Sequence, residues 1–312
     1  MKEKFKIVFL GTPEFALPSL KKLIKEGFKV VGAVTNPDRA KGRKMKIEPG
    51  PVKRLAQQNK IPVLQPENIN DPDFLKDLKA LAPDIFIVVA YGKILPKEII
   101  YLPTFHSLNL HASLLPKYRG ASPLPAAILN GEEETGVTVM KMDENMDTGP
   151  ILAQKKIKIE KNIRLPELHD RLSGLGADLL AETLPAYFSH SLKLIKQNDQ
   201  EATYTKIIKK EDGHLNWQKE AALIERKIRA FNPWPGTFSF INGKKLKIIE
   251  AELTDRESPL PPGTLFFEGE KIYLTSRDKL LRIKKLQLEG GKVLEGASFI
   301  TGHKELDKKI LT

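Results

Sequence analysis

The chain has 312 residues, 41% hydrophobic content, 29% charged residues and a formal net charge of +12, the profile of a globular protein of about two domains. It contains no cysteine, which excludes disulfides, thiolate nucleophiles and cysteine-ligated zinc. No apolar run approaches the ~20 residues of a membrane helix, and the start, MKEKFKIVFLG, enters a strand rather than a signal-peptide core, so a cytoplasmic protein without membrane attachment is expected.

The positive charge is uneven. It falls on residues 1–60 and 201–312, while residues 61–200 carry slightly more acid than base. Basic ends around a near-neutral centre suit a reaction centre flanked by surfaces that hold a polyanion.

Lys4 to Leu10 reads as a buried strand, the following residues to about Glu26 as an amphipathic helix, and Phe28 to Thr35 as a second strand. Strand, helix, strand within about 30 residues opens a parallel, Rossmann-like α/β sheet. The turn Gly11-Thr12-Pro13-Glu14 lacks the GxGxxG pattern, and its carboxylate would oppose a pyrophosphate, so a dinucleotide cofactor is not expected. Asn36 to Pro51 shows neither helical nor strand period and is expected to form a loop of about 15 residues. Five basic residues fall within eight positions of it: Arg39, Lys41, Arg43, Lys44 and Lys46.

Val52 to Asn59 predicts a short helix, Ile61 to Leu64 a short strand, and Asp71 to Leu81 a helix that stops near Pro83. Asp84 to Tyr91 is the most apolar run and predicts the central strand, with YGKILP at its carboxyl end. Ligands of open α/β sheets bind beyond the carboxyl ends of the central strands, so Tyr91 to Pro96 is a candidate pocket wall.

The next strand, Phe105 to Leu110, runs into the stretch SLNLHASLLPKYRG. Ser107, Asn109 and His111 alternate with Leu108 and Leu110, which puts the polar set on one face and the leucines on the other. An asparagine amide is a fixed neutral donor suited to an oxyanion, and a histidine moves a proton near neutral pH. Neither is a good nucleophile, so the pair fits acyl transfer to an amine without a covalent enzyme intermediate. His106 falls on the opposite face and reads as structural. A carboxylate partner is expected from the loop after the strand Gly136 to Met142, which holds Asp143 and Asp147; the turn Asp147-Thr148-Gly149 favours Asp147.

Pro123 to Leu129 predicts a helix, Ile151 to Ile159 a strand, and Leu165 to Phe188 a long helix. Residues 190–204 are polar and aperiodic and read as a linker between a first domain, 1–189, and a second, 205–312. The second holds a helix at Glu220 to Phe231 and about five short strands between Gly, Pro and polar turns, the pattern of a small OB-like β-barrel. NPWPG at Asn232 to Gly236 reads as a structural corner and Trp217 as packing.

HASLLPKYRGASP, with Asn109 before it and an Asp-Thr-Gly loop after it, resembles the signature of the folate-dependent formyltransferases. The resemblance implies a catalytic trio of Asn109, His111 and Asp147, 10-formyltetrahydrofolate as formyl donor, and no metal. It also implies that the pterin lies beside Ile94, Leu95 and Pro96, Ser113, Leu114, Leu115 and Pro116, and Asp143 to Asp147, held largely by backbone groups. GTPEFA, PDRAKGR, VVAYGKILP, ETGVTVMKMD and RAFNPWPGTF carry the likeness over nearly the whole chain, toward the branch whose acceptor is methionyl initiator tRNA. In that branch an arginine of the basic loop, here Arg43, reaches into the acceptor stem. The branch that formylates nucleotide-linked amino sugars shares the trio and a comparable second domain, so it stays open, as does a folate- or RNA-binding protein without turnover. The basic loop and the basic carboxyl-terminal part favour a tRNA partner. A monomer is expected.

Overall fold

The computed structural model describes residues 4–41, 46–257 and 259–312. The chain forms two compact units: one comprises Met1–Pro123, Glu134–Lys158 and His169–Lys206, the other Leu124–Glu133, Ile159–Leu168 and Ile207–Thr312.

From the amino end the elements are β1 (Lys6–Gly11), α1 (Leu17–Lys25), β2 (Lys29–Val34), β3 (Arg39–Lys41), β4 (Lys46–Glu48), α2 (Pro51–Gln58), β5 (Val63–Leu64) and α3 (Pro72–Ala80). There follow β6 (Ile85–Val89), α4 (Lys97–Ile100), β7 (Ser107–His111), β8 (Arg119–Gly120), α5 (Pro123–Asn130), β9 (Glu134–Lys141), β10 (Ile151–Lys158), α6 (Leu165–Phe188) and β11 (Tyr204–Thr205). The main sheet of the first unit has the order β10-β9-β7-β6-β1-β2-β5. Its strands from β5 to β7 are parallel, and β9 and β10 close one side antiparallel. The two central strands, β1 and β6, lack alternation because both of their faces are covered, and Ile7 to Leu10 and Ile85 to Val89 are all buried. Burying each such side chain contributes roughly 1.5–3 kcal/mol, which makes this pair a rigid platform. β7 runs beside β6 with Asn109 opposite Val88, so the polar motif leaves the sheet at its carboxyl edge.

The basic stretch departs from the expected aperiodic loop. Arg39–Lys41 pairs antiparallel with Lys46–Glu48, and Arg39 stands opposite Glu48. Arms of three residues are too short for alternation to register in a sequence. Arg43 and Lys44 lie outside the described residues. The base of this hairpin is fixed by Asp38, whose carboxylate accepts from Lys53 Nζ and from Gln65 Nε2 at 3.0 Å. The Lys53 hydrogen bond, with that of Gln65, holds the Asp38 carboxyl below its usual range.

In the second unit α7 (Ala221–Phe231) is followed by β12 (Thr237–Ile241), β13 (Lys244–Glu257), β14 (Thr264–Glu268), β15 (Lys271–Thr275), β16 (Lys279–Leu288), β17 (Leu294–Glu295), α8 (Gly296–Gly302) and β18 (Lys309–Ile310). The ladder β12-β13-β16-β15-β14-β18 is antiparallel throughout, with β17 beside β16. Phe240 of β12 and Thr312, just after β18, exchange backbone hydrogen bonds of 2.8 and 3.0 Å, which brings the ladder round into a nearly closed barrel. Leu246, Ile248, Leu265, Ile272, Leu274 and Leu281 fill it, and Ile224 and Ile228 of α7 pack against them.

Two segments that the sequence reading places in the first domain group with this second unit. For Ile159–Leu168 the contacts give the reason: Arg229 Nη1 donates to the Ile163 carbonyl at 2.8 Å, and Arg164 Nη1 reaches Glu250 at 3.0 Å. Trp217 is buried and donates through Nε1 to Ser239 Oγ at 2.9 Å. Trp234 differs. The backbone around it turns a corner held by Gly236 N on the Phe231 carbonyl, yet the residue is 54% exposed and lines a pocket of about 720 Å³ with His214, Phe238, Phe240 and Lys245.

Candidate active site

β7 sorts its side chains as its alternation requires. Leu108 and Leu110 are buried, and Gly176 of α6 lets the helix approach so closely that a Cβ there would lie 2.7 Å from Leu110 Cδ2. On the opposite face Ser107 spends its hydroxyl on the Ile100 carbonyl at 2.8 Å, so it supports the strand rather than the chemistry. Asn109 and His111 remain. His106 has a positive φ of 59°, packs edge-on against Tyr101, and is pushed below its ordinary pKa by burial and by the Lys141 charge.

Three polar groups converge at the end of β7. Asp147 Oδ2 accepts from the Gly120 backbone N–H at 2.7 Å and lies 3.5 Å from His111 Nδ1. Asp147 Oδ1 is 3.4 Å from Asn109 Nδ2, a weak hydrogen bond that leaves the amide free to serve a better acceptor. The other carboxylate of the loop, Asp143, is engaged locally, accepting from Thr148 Oγ1 at 2.7 Å and from the Asn145 N–H at 3.2 Å. It shapes the turn that presents Asp147.

The tautomer of His111 follows from its second nitrogen. Nε2 lies 2.9 Å from the Tyr118 carbonyl, which can only accept, so Nε2 carries the hydrogen. Neutral His111 therefore turns the Nδ1 lone pair toward Asp147. This is a proton acceptor beside a carboxylate that stabilises the cation it becomes, next to an amide donor for a developing oxyanion.

The residues expected near a pterin divide by burial. Ile94 is 79% exposed, while Leu95 sits in the core with Phe86, Val88 and Tyr91. Leu115 packs with Met140 and Ile151, and its N–H donates to Thr138 Oγ1 at 3.2 Å. Met142 packs against both clusters, which ties the two walls together. Ser113 is buried with its hydroxyl on the Lys117 carbonyl at 2.6 Å, so its side chain holds the turn. Tyr91 is 2% exposed in the same core cluster as Leu95, and burial pushes its hydroxyl up to about 12. Among the described residues no cluster of His, Cys, Asp and Glu suited to a metal is present.

Residues 5–184 match the family model described as formyl transferase, and residues 207–304 match the formyl transferase C-terminal domain. A methionyl-tRNA formyltransferase of Caldanaerobacter subterraneus subsp. tengcongensis is 47% identical over 299 residues, covering 96% of this chain and 97% of that one. The chain belongs to the methionyl-tRNA formyltransferase family. A second such relative, from Geobacter sulfurreducens, is 44% identical over 298 residues, 95% of this chain and 93% of that one. Among solved structures, the sugar 3N-formyl transferase WlaRD superposes with a TM-score of 0.67 at 22% identity, over 93% of this chain and 100% of that one. HypX from Aquifex aeolicus, solved with tetrahydrofolic acid, gives 0.66 at 17% identity over 96% of this chain; the chain spans about half the length of HypX, 47%. Both show the formyltransferase fold, and members of the family use 10-formyltetrahydrofolate as co-substrate.

Several groups that build this site lie beyond the sequence reading. Tyr118 and Gly120 contribute through the backbone, which no side-chain pattern reveals. Arg119 is buried at 1% exposure, and residues 190–204, read as linker, are held within the first unit: Thr203 Oγ1 accepts from Tyr118 N at 2.8 Å and Gln197 Oε1 from Arg119 Nη2 at 2.9 Å. An arginine inside an apolar turn was the one available signal for Arg119; Gln197 had none.

Proposed function

We propose that Asn109, His111 and Asp147 carry out the transfer of the formyl group of 10-formyltetrahydrofolate to the α-amino group of methionyl initiator tRNA. The observation that supports this most is the Asp147 carboxylate at the end of β7, 3.4 Å from the Asn109 amide and 3.5 Å from the His111 imidazole. A free α-amine has a pKa near ~7.7, so a useful fraction is neutral and nucleophilic at physiological pH. The amine nitrogen bonds to the formyl carbon, and the carbonyl oxygen becomes an oxyanion that accepts from Asn109 Nδ2. Such a donor contributes ~3 kcal/mol to the transition state. The proton released by the amine passes to His111 Nδ1, whose charge Asp147 balances, and then to the folate nitrogen as its bond to the formyl carbon breaks. No covalent bond to the enzyme is needed.

The donor is held beside Ile94 to Pro96, Ser113 to Pro116 and Asp143 to Asp147, mainly by backbone groups, since the side chains of Leu95, Ser113 and Leu115 are committed to the protein. The catalytic domain is centred on residues 1–189 and the tRNA-binding domain on 205–312. The basic segment Arg39, Lys41, Arg43, Lys44 and Lys46 grips the acceptor stem. The protein works as a cytoplasmic monomer. Incubation with 10-formyltetrahydrofolate and either methionyl initiator tRNA or a nucleotide-linked amino sugar tests the acceptor: formyl-methionyl-tRNA is the expected product, and formylation of the sugar alone refutes the reading.

A further inference from the structure

We propose that Arg119 and Gln197 are positioning residues that hold Asp147 in place beside His111 and Asn109, a role that rests on the assignment of that trio. Asp147 has φ of +56°, a left-handed backbone that its surroundings must enforce. Gln197 does so from within the protein, at 6% exposure. Its Nε2 donates to the Asp147 carbonyl at 2.9 Å and to the Gly149 carbonyl at 2.7 Å, gripping the turn on both sides of Thr148.

The other end of the same amide is fixed by Arg119. Gln197 Oε1 accepts from Arg119 Nε at 3.1 Å and Nη2 at 2.9 Å. A guanidinium only donates and the two carbonyls only accept, so one orientation of the amide satisfies all four contacts. Arg119 is held in turn by Asp199 Oδ1 at 2.7 Å and the Tyr204 hydroxyl at 3.2 Å. Burying a charged side chain costs free energy unless it is paired and hydrogen-bonded, and the ion-pair partner of Arg119, Asp199, is itself 72% exposed. Here the buried cation orients a donor toward the loop that carries a reacting carboxylate.

Arg119 and its neighbour Gly120 act on the two ends of Asp147. The Arg119 side chain, through Gln197, fixes the Asp147 backbone; the Gly120 N–H, at 2.7 Å, fixes the Asp147 carboxylate. β8, which carries both residues, is itself paired with β11 at Tyr204 and Thr205. Residues 197–205 thus form a brace for the site rather than a spacer.

Gln197→Glu separates positioning from folding. It keeps the acceptor for Arg119 and replaces the two donors by an oxygen facing two carbonyls, so the turn at Asp147 loses its hold. The expected result is a fall of about 10- to 100-fold in the single-turnover rate of formyl transfer at saturating folate, with the KM for methionyl-tRNA unchanged. In an Asp147→Asn background the same substitution should change the rate by less than about twofold, since the effect runs through Asp147. A wild-type rate for Gln197→Glu, or an equal fractional loss in both backgrounds, overturns the positioning role. If Gln197→Glu does not fold, Asp199→Ala decides, at a side chain 72% exposed. A loss of about two- to fivefold that vanishes in the Asp147→Asn background supports the role, and no loss overturns it. Wild-type turnover by Asp147→Asn itself refutes the trio and the positioning role together, an outcome distinct from the others.

Discussion

The carbonyl oxygen of Tyr118 stands 2.9 Å from His111 Nε2, and this one contact fixes which imidazole nitrogen is turned toward Asp147. Nε2 donates to the main chain, so Nδ1 faces Asp147 at 3.5 Å and is the nitrogen to which the proposed mechanism delivers the amine proton.

His111→Gln follows from this relationship. The glutamine amide reproduces the Nε2 donor to Tyr118 but offers no base in place of Nδ1. The variant should fold with a melting temperature close to wild type while its single-turnover rate falls about 10²–10⁴-fold. A folded variant with a rate near wild type would show that the proton takes another route.

The basic segment should act on the polyanion alone. Replacing Lys41, Arg43, Lys44 and Lys46 by glutamine should raise the KM for tRNA, flatten the dependence of its logarithm on salt by about 0.9 for each phosphate no longer neutralised, and leave folate affinity unchanged. Tritium-labelled folate binding and tRNA titrations at several salt concentrations check both halves. An equal loss of folate affinity would argue against a docking role.

His106 makes stability depend on pH. Burial, with the Lys141 charge, depresses its pKa in the folded state, so the unfolded chain binds the proton more tightly. The contribution is therefore complete above the unfolded value of about 6.5 and is lost as pH falls from there through the folded pKa. His106→Asn removes the titration and tolerates the positive φ of 59°. Its melting temperature should fall less steeply between about pH 6.5 and 5 than that of the wild type. Parallel curves would show that other groups govern the acid limb.

Gly120 has φ of +105°, and a Cβ there would lie 2.6 Å from the Thr205 carbonyl. Gly120→Ala should cost about 1–3 kcal/mol in denaturant unfolding and, by shifting the N–H that Asp147 accepts from, lower turnover as well. Full stability would mean that β8 and β11 can separate without consequence.

Much of this was legible because local patterns and tertiary structure agree. Alternation along Ser107 to His111 put Asn109 and His111 on one face, and Leu165 to Phe188 is helical over its expected span. The turn Asp147-Thr148-Gly149, read from the sequence, holds the carboxylate that lies 3.5 Å from His111 Nδ1. What stayed hidden depends on long-range contacts: Gln197 meets Arg119 across 78 residues, and a polar aperiodic stretch gives no sign that its amide will be buried. The grouping of Ile159–Leu168 with the second unit was hidden likewise, since it rests on Arg229 and Arg164 reaching the main-chain carbonyls of Ile163 and Ile249, which leave no period in the sequence.

The central claim is that Asn109, His111 and Asp147 act as one unit on the formyl group. Its most direct test is the single-turnover rate of formyl transfer from 10-formyltetrahydrofolate to methionyl-tRNA by Asn109→Ala and Asp147→Ala, with both substrates saturating and folding verified by circular dichroism. The rate should fall by about 10²–10³-fold in each variant, with the double variant little worse than either alone. Turnover near the wild-type rate by either folded variant would contradict it.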